Sequence, residues 1–209
     1  TWRRWDSVVE HWVPPLDDGG NNCAGTINIL VPTVVTARCE YLIQSLGTLG
    51  KPVMIWGCPG GSKSSTMQMY LQKLTADTTT HRSLTISSVT TPLSLQRALE
   101  ACLEKRQGRT FGPPGGKSCV LFVDDVSSPM LNEWGQQTTS ELLRQLLEEG
   151  GVYNLDKPGE FKIITDLVYV AAATNPGSDR HDIPERLKRQ LAMFALETPT
   201  IASAMQIFE

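Results

Sequence analysis

The chain has 209 residues, of which 40% are apolar and 20% are charged, and its formal net charge is −3 at pH 7. This composition predicts one sizeable globular α/β domain, and it argues against a basic surface for nucleic acid and against a membrane-spanning segment. The five cysteines are scattered without metal-ligand spacing, which predicts reduced thiols in the cytosol and neither disulfides nor zinc.

Residues 1–28 show no sustained periodicity and are predicted to be an N-terminal arm before a compact domain of residues 29–199. The arm carries three tryptophans, which are Trp2, Trp5 and Trp12. We expect these rings to pack on the core of the domain or on a neighbouring domain. The first residue is a threonine, so the sequence is predicted to be a piece of a longer chain.

Residues 53–65, VMIWGCPGGSKSS, have the layout of a phosphate-binding P-loop. An apolar run ends in Gly57, four residues intervene, and Ser62 then precedes Lys63 and Ser64 at the start of a helical pattern. In such a loop, backbone N–H groups point at an anion, the lysine binds the outer phosphates and the hydroxyl binds Mg²⁺. The residues predicted to bind the nucleotide are Gly57, Pro59, Gly60, Gly61, Ser62, Lys63, Ser64 and Ser65.

Ser62 departs from the P-loop pattern, which has glycine before the lysine. Its Cβ stands where the backbone adopts a positive φ or where a phosphate approaches, and a positive φ costs such a residue about 1–2 kcal/mol. A tenfold loss of affinity corresponds to about 1.4 kcal/mol. We therefore expect weakened but not abolished nucleotide binding. The alternative interpretation of the stretch is a tight turn between a strand and a helix, with a surface lysine.

The rest of the chain alternates strand and helix patterns, which predicts a doubly wound parallel sheet with ligands at the carboxyl ends of its strands. Other helices are predicted over residues 31–46, 91–102, 138–149, 184–190 and 200–209. Other strands are predicted over residues 84–87, 119–123, 167–173 and 191–196, with a hairpin insertion over 152–164. Thr138 and Glu141 are predicted to form a capping box.

Residues 111–118, FGPPGGKS, contain a second Lys-Ser pair after glycine. Its glycine spacing is one residue short of the P-loop pattern, and it precedes a predicted strand where a phosphate loop follows one. We predict a turn-rich loop without a phosphate site.

Asp124 and Asp125 leave a buried strand together, as in a Walker B motif. Asp124 is predicted to hold Mg²⁺ together with Ser64, and Asp125 to orient or deprotonate the attacking water. Most hydrolases of this architecture have glutamate at the second position, so the shorter Asp125 predicts slow hydrolysis. The alternative is an ordinary turn, where aspartate is common.

Asn175 follows a later buried strand and is predicted to hold this water against the γ-phosphate. The alternative is a turn-forming Asn-Pro pair. Arg186 and Arg189, on the short basic helix, are candidates for an arginine finger that reaches the nucleotide of an adjacent module. The alternative for both is a solvated basic face.

The order of P-loop, Walker B motif, sensor-like asparagine and trailing arginines resembles the large subdomain of an AAA+ ATPase. From about residue 29 to the end, the sequence more closely resembles the dynein heavy chain, specifically the third AAA+ module of its motor ring. The segments that carry the resemblance are GKPVMIWGCPGGSKSS, LEKRQGRTFGPPGGKSCVLFVDDVSSP, ELLRQLLEEGGVYNL, VAAATNPGS and PERLKRQL. In that family, paired aspartates are usual in this module.

The resemblance implies an AAA+ large subdomain with a parallel five-stranded sheet flanked by helices and a hairpin insertion. Residues 200–209 would begin the lid subdomain. It also implies ATP or ADP and Mg²⁺ as ligands, with slow hydrolysis by a regulatory module of a microtubule-based motor. Lys63 would bind the β- and γ-phosphates, and Asn175 would be sensor one.

The resemblance also implies partners and a location. Arg186 or Arg189 would project toward the preceding module, although the family has arginine directly after the proline and this chain has Glu185 there. Neighbouring AAA+ modules of the same heavy chain are the implied partners, and microtubules are reached only through other parts of that chain. The implied location is the cytoplasmic cytoskeleton, and the VDDV-type element favours the axoneme of a cilium or flagellum.

Two other functions remain open on the sequence alone. One is a binding-only or structural ring module whose P-loop has been degraded by Ser62. The other is a stand-alone P-loop phosphotransferase, in which Asn175 and the basic helix have no role.

Overall fold

A computed structural model describes residues 4–9, 12, 30–75, 77–175, 177 and 181–208. Most of the predicted arm, including Trp2, lies outside the described residues. The described helices are α1 (Val34–Thr48), α2 (Lys63–Gln72), α3 (Pro92–Glu100), α4 (Thr138–Glu149), α5 (Glu185–Lys188) and α6 (Ile201–Phe208). The described strands are β1 (Val53–Gly57), β2 (Thr79–Thr85), β3 (Glu104–Lys105), β4 (Thr110–Gly112), β5 (Ser118–Asp124), β6 (Gly151–Tyr153), β7 (Phe161–Ile164), β8 (Leu167–Thr174) and β9 (Ala192–Ala195).

The central sheet has five strands in the order β2-β5-β8-β1-β9, and every neighbouring pair is parallel. This confirms the predicted parallel five-stranded sheet flanked by helices. Strand β8 lies between β1 and β5, so the carboxyl ends of these three strands meet at one edge of the sheet. Ligand sites of open α/β sheets are found at this edge.

Both faces of the three inner strands β1, β5 and β8 are largely buried. In β1, Val53 and Ile55 face a core cluster with α1 and α2, whereas Met54 faces a second cluster with α3 and α4. Strands that are covered on both faces show continuous apolar runs, because neither set of alternating side chains meets water. This explains why the strands predicted over 119–123 and 167–173 are found nearly where the sequence places them.

Strand β2 corrects the prediction of a strand over residues 84–87, because it begins at Thr79 and ends at Thr85. It lies at the edge of the sheet, and most of its side chains are exposed or half-buried polar groups. An edge strand of this kind lacks the apolar pattern by which buried strands are recognised. Ile86 lies past the end of the strand, where its N–H still donates to Asp124 O at 3.0 Å.

Helix α3 begins with a Thr91 cap and Pro92 in its first turn, and α4 ends at Gly150 in the left-handed conformation, both as predicted. The predicted capping box at Thr138 is wrong. Thr138 is the first residue inside α4, and its N-cap is Gln137, which makes no side-chain capping bond. Glu141 instead accepts a hydrogen bond from Arg144 at 2.8 Å.

The predicted hairpin is confirmed by the antiparallel pairing of β6 with β7. It belongs to a second sheet of four short strands in the order β3-β4-β7-β6, in which β3 and β4 were not predicted. Strand β4 occupies the beginning of the loop predicted over 111–118. The hairpin is fixed to α3, since Leu155 N–H donates to Gln96 Oε1 at 3.1 Å and Lys162 Nζ donates to Glu100 at 2.7 Å.

Within the described part of the arm, Trp5 contacts helix α1. Trp5 packs edge-to-face on Tyr41 of α1, with ring centroids 5.5 Å apart. Packing on the core, one of the two predicted alternatives, therefore holds for Trp5. Among the described helices, none is both long and apolar enough to cross a bilayer.

Candidate functional site

The stretch predicted as a P-loop has the required structural context. Strand β1 ends at Gly57, a turn follows, and α2 begins at Lys63. Within the turn, Gly60 has φ +73° and Ser62 has φ +56°, so both are left-handed. The positive φ considered for Ser62 is therefore confirmed in this non-glycine residue.

Gly57 has a packing role behind the loop. A Cβ at this position would come within 2.9 Å of Leu196 O, because the chain after β9 runs close to β1 there. Leu196 N–H donates to Trp56 O at 2.7 Å, which holds the two segments together. The contribution of Gly57 to the site is its carbonyl oxygen, which accepts a hydrogen bond from Lys63 Nζ at 3.1 Å.

Lys63 is 8% exposed, and its ammonium lies beneath the loop. Its Nζ donates to the carbonyl oxygens of Gly57 at 3.1 Å and Cys58 at 2.8 Å. A buried charge is stable only when it is hydrogen-bonded or paired. The loop carbonyls meet part of this need and hold the cation in place.

The predicted metal ligands come together from two elements. Ser64 Oγ, in the first turn of α2, donates to Asp124 Oδ2 at the end of β5 over 2.6 Å. The other carboxylate oxygen of Asp124 accepts the Asp125 N–H at 2.9 Å. A hydroxyl and a carboxylate side by side are the hard oxygen donors that Mg²⁺ prefers, usually together with phosphate oxygens and water. The residues present therefore fit this ion.

Asp125 occupies a left-handed turn, with φ +57°, directly after the strand. Ser128 N–H donates to Asp125 O at 2.9 Å and closes the turn. Asp125 lines the same cleft as the P-loop. The structure thus brings the two aspartates to the two positions that the Walker B pattern predicts.

The P-loop and the aspartates line an open cleft of about 440 Å³. Its lining residues are Pro59, Gly60, Gly61, Ser62, Lys63, Ser64, Ser65, Asp124, Asp125 and Thr174. The volume is within the usual range for sites of small molecules. All of the predicted nucleotide-binding residues except Gly57 are on these walls.

A second cavity of about 170 Å³ adjoins the cleft and shares Ser62 and Ser65 with it. Its apolar walls come from the chain before α1, from the first turn of α1, from α2 and from the chain around α6. These apolar residues are Leu30, Val31, Val35, Met69, Pro199 and Ile207. This cavity was not predicted, because scattered apolar residues form no sequence motif.

Asn175 follows the end of β8, where it lies beside the P-loop residue Cys58 and is not among the residues that line the cleft. Its Nδ2 is 3.6 Å from Cys58 Sγ, and the side chain is exposed. The preceding residue, Thr174, lines the cleft and was missed. Its place at the end of a strand next to Asn175 is the sequence signal that indicates it.

Arg186 and Arg189 are exposed at the short helix α5 and do not line the cleft. The helix is fixed by Lys188, whose Nζ donates to Asp182 and Glu185 at 2.9 Å each. The same ammonium lies 5.8 Å from the centre of the Trp56 ring on β1. The structure therefore does not bring the two arginines into this chain's own cleft.

A parallel sheet with a P-loop after β1 and paired aspartates after β5 defines the class of P-loop α/β domains. The family model of the P-loop containing dynein motor region matches residues 22–199. The chain belongs to this family.

Similar proteins include dynein heavy chains of flagella and axonemes. The chain is 44% identical over 208 residues to the dynein gamma chain, flagellar outer arm, of Chlamydomonas reinhardtii, with 99% of this chain and 5% of that protein covered. It is 42% identical over 208 residues to dynein axonemal heavy chain 5 of Rattus norvegicus, covering 100% of this chain and 6% of the relative. It is 39% identical over 207 residues to dynein axonemal heavy chain 8 of Homo sapiens, covering 99% of this chain and 4% of the relative. The chain thus spans about a twentieth of the length of these relatives.

Proposed function

We propose that this chain binds ATP and ADP with Mg²⁺ and hydrolyses ATP slowly, as a regulatory AAA+ module of a dynein heavy chain. The observation that carries the proposal is the 2.6 Å hydrogen bond between Ser64 and Asp124. It joins the two halves of a nucleotide site, one from the P-loop helix and one from the Walker B strand. A tight turn with an incidental surface lysine would not require this contact, nor the burial of Lys63.

Each residue of the cleft has a distinct task in this proposal. Lys63 and the N-terminus of α2 attract the phosphates, and the Ser62 side chain does not cap that helix N-terminus. Ser64 and Asp124 would hold Mg²⁺, which would neutralise charge on the phosphate oxygens. The adjoining apolar cavity would take the base.

Hydrolysis depends on Asp125 and Asn175. Asp125 orients and deprotonates the attacking water, and Asn175 holds that water against the γ-phosphate. Asp125 is one methylene shorter than the glutamate common at this position, so its carboxylate reaches the water less well. Hydrolysis by the isolated chain is therefore slow.

The arginines act outside this chain's own cleft. Arg186 or Arg189 serves the nucleotide of the preceding module as an arginine finger, which is consistent with their exposure and with their distance from the cleft walls. The partners are accordingly the neighbouring AAA+ modules of the same heavy chain. The 209 residues form the third of these modules. Microtubules are reached through other parts of that chain.

The location follows from the relatives. Their names place them in the flagellar outer arm or describe them as axonemal. We assign this chain to the same cytoskeletal structure, the axoneme of a cilium or flagellum.

Isothermal titration of the 209-residue chain with Mg-ATP and Mg-ADP tests the proposal. We expect saturable binding of both nucleotides, with slow release of phosphate from ATP. Inorganic tripolyphosphate is the matched control, because it carries the charges without the base and should bind more weakly. No heat and no thermal shift at millimolar nucleotide would refute the proposal.

The second candidate function is a binding-only or structural ring module. The left-handed Ser62 favours it, because a strained loop is the feature most able to impair the site. Weakened binding of Mg-ADP without phosphate release from ATP, even over hours, would support this candidate and exclude slow hydrolysis.

A further inference from the structure

Ser127 lies two residues after the catalytic aspartate of the proposed site and is 0% exposed. It lines neither the phosphate cleft nor the adjoining cavity. No motif predicted a role for it. Its position is notable because the chain must turn sharply at Asp125, with φ +57°, and then find new hydrogen-bond partners.

The chain after Asp125 binds to the end of the neighbouring strand β8. Val126 N–H donates to Ala172 O at 3.1 Å, which continues the pairing of β5 with β8 past the turn. The Ser127 hydroxyl oxygen then accepts the Thr174 N–H at 3.3 Å. Thr174 is the last residue of β8 and immediately precedes Asn175. Ser127 thus joins the turn that carries Asp125 to the strand end that carries Asn175.

Ser127 also contacts a third segment. Its carbonyl oxygen accepts the His181 N–H at 3.3 Å, and His181 lies shortly before α5. One buried residue therefore holds the Walker B turn, the end of β8 and the approach to the helix with Arg186 and Arg189.

We propose that Ser127 is a positioning residue for hydrolysis, which fixes the Asp125 carboxylate relative to the Asn175 amide. The proposal rests on the proposed hydrolysis at this site. The groups that hold the phosphates and Mg²⁺ come mainly from the P-loop and α2, which Ser127 does not contact. Replacement of Ser127 should therefore impair turnover and leave nucleotide affinity intact.

The first test is Ser127→Ala in the 209-residue chain, with binding and turnover measured separately. The substitution removes the acceptor of the Thr174 N–H, and with it the hydrogen bond that joins the turn at Asp125 to the end of β8. Because small misplacements of reacting groups are costly, we expect kcat to fall about 10- to 100-fold. The Kd for Mg-ADP should stay within about twofold, since the binding contacts are unchanged.

The matched control is Ser140→Ala. Ser140 is also 0% exposed, and its hydroxyl donates to Gln137 Oε1 at 2.9 Å, on the far side of the same loop. The hydrogen bond of its hydroxyl does not involve β8, so the variant should leave kcat unchanged. The proposal is overturned if Ser127→Ala leaves kcat unchanged, or if it weakens Mg-ADP binding as much as it slows turnover.

A second measurement does not need turnover or nucleotide. In ¹⁵N-labelled protein, the side-chain amide resonance of Asn175, assigned with Asn175→Asp, reports its surroundings. Ser127→Ala should shift or broaden this resonance, whereas Ser140→Ala should not. An unchanged resonance in Ser127→Ala overturns the positioning role. A wild-type chain that binds no nucleotide contradicts the proposed function, and the resonance still decides the role of Ser127.

Discussion

Two glycine-rich loops of this chain each end in a lysine followed by a serine, but they meet different surroundings. Lys63 and Ser64 begin helix α2, whereas Lys117 precedes β5 and Ser118 is its first residue. Ser118 N–H donates to Thr78 O at 3.2 Å, so the sheet uses the group that a phosphate loop would direct at an anion. The Lys-Ser pair therefore forms an anion site only where a helix begins with it, as α2 does.

The two serines also differ in their distance from a carboxylate. Ser64 touches Asp124. Ser118 is at the other end of the same strand, which places it about 20 Å from Asp124 at the usual rise per residue. Identical residue pairs thus have different chemistry, because one lies at the carboxyl edge of the sheet and the other at the opposite edge.

The largest expected difference between the two loops is in nucleotide affinity when the lysine of each loop is replaced. Lys63→Ala should weaken Mg-ATP binding about 100-fold or more, because charge-assisted hydrogen bonds to phosphate contribute about 1.5–3 kcal/mol each. Lys117→Ala should leave the Kd within about twofold. Isothermal titration of both variants measures the difference.

Both lysine variants need a check of folding, because Lys63 is buried and Lys117 is half-buried. Far-UV circular dichroism and thermal melting of each variant supply it. Equal losses of affinity in two well-folded variants would mean that the helix context does not decide the site.

A smaller effect is expected for the two serines. Ser64→Ala removes a predicted Mg²⁺ ligand and should abolish most of the gain in nucleotide affinity that Mg²⁺ provides, a change of about tenfold. Ser118→Ala should retain the gain. Titrations with ATP in excess Mg²⁺ and in EDTA measure the gain for each variant. If Ser64→Ala keeps the full Mg²⁺ dependence, Ser64 is not a ligand of the ion.

The sequence predicted those parts of the molecule whose signals are local. The P-loop, the buried strands and the hairpin each carry their pattern within a short stretch, and the structure has them nearly in place. Strand β2 was misplaced because it is a polar edge strand, and β3 and β4 were missed because strands of two or three residues show no period.

The parts of the site that escaped prediction depend on residues distant in the chain. Ser127 has its contacts because β8 lies beside β5, and no spacing rule contains that adjacency. The capping box failed for a related reason. Thr138 has the right residue type, but the helix starts one residue earlier than the pattern required, and Gln137 instead donates to Pro129 O at 3.2 Å.

The smallest effect concerns the left-handed residues of the two loops, Ser62 with φ +56° and Gly116 with φ +69°. Exchanging the residue types, as Ser62→Gly and Gly116→Ser, should move stability in opposite directions. Removing the side chain from a left-handed residue stabilises the folded state by about 1–2 kcal/mol. Glycine also increases the conformational entropy of the unfolded chain, which offsets about 0.4–1 kcal/mol of this stabilisation. We expect Ser62→Gly to stabilise the fold by about 0.5–1 kcal/mol and Gly116→Ser to destabilise it comparably.

Urea denaturation measures both changes, and titration shows where the strain of Ser62 acts. A Cβ at Gly116 would have no atom within 4 Å, so the loss of stability in Gly116→Ser comes from the backbone conformation alone. It gives the reference value for the strain of Ser62. Ser62→Gly should raise stability, because it relieves the left-handed side chain. It should also tighten the binding of Mg-ADP less than tenfold, because the net relief of about 0.5–1 kcal/mol is smaller than the roughly 1.4 kcal/mol of a tenfold change. Tenfold tighter binding without added stability would mean that the Cβ obstructs the phosphate, and the serine would then act on binding and not on folding.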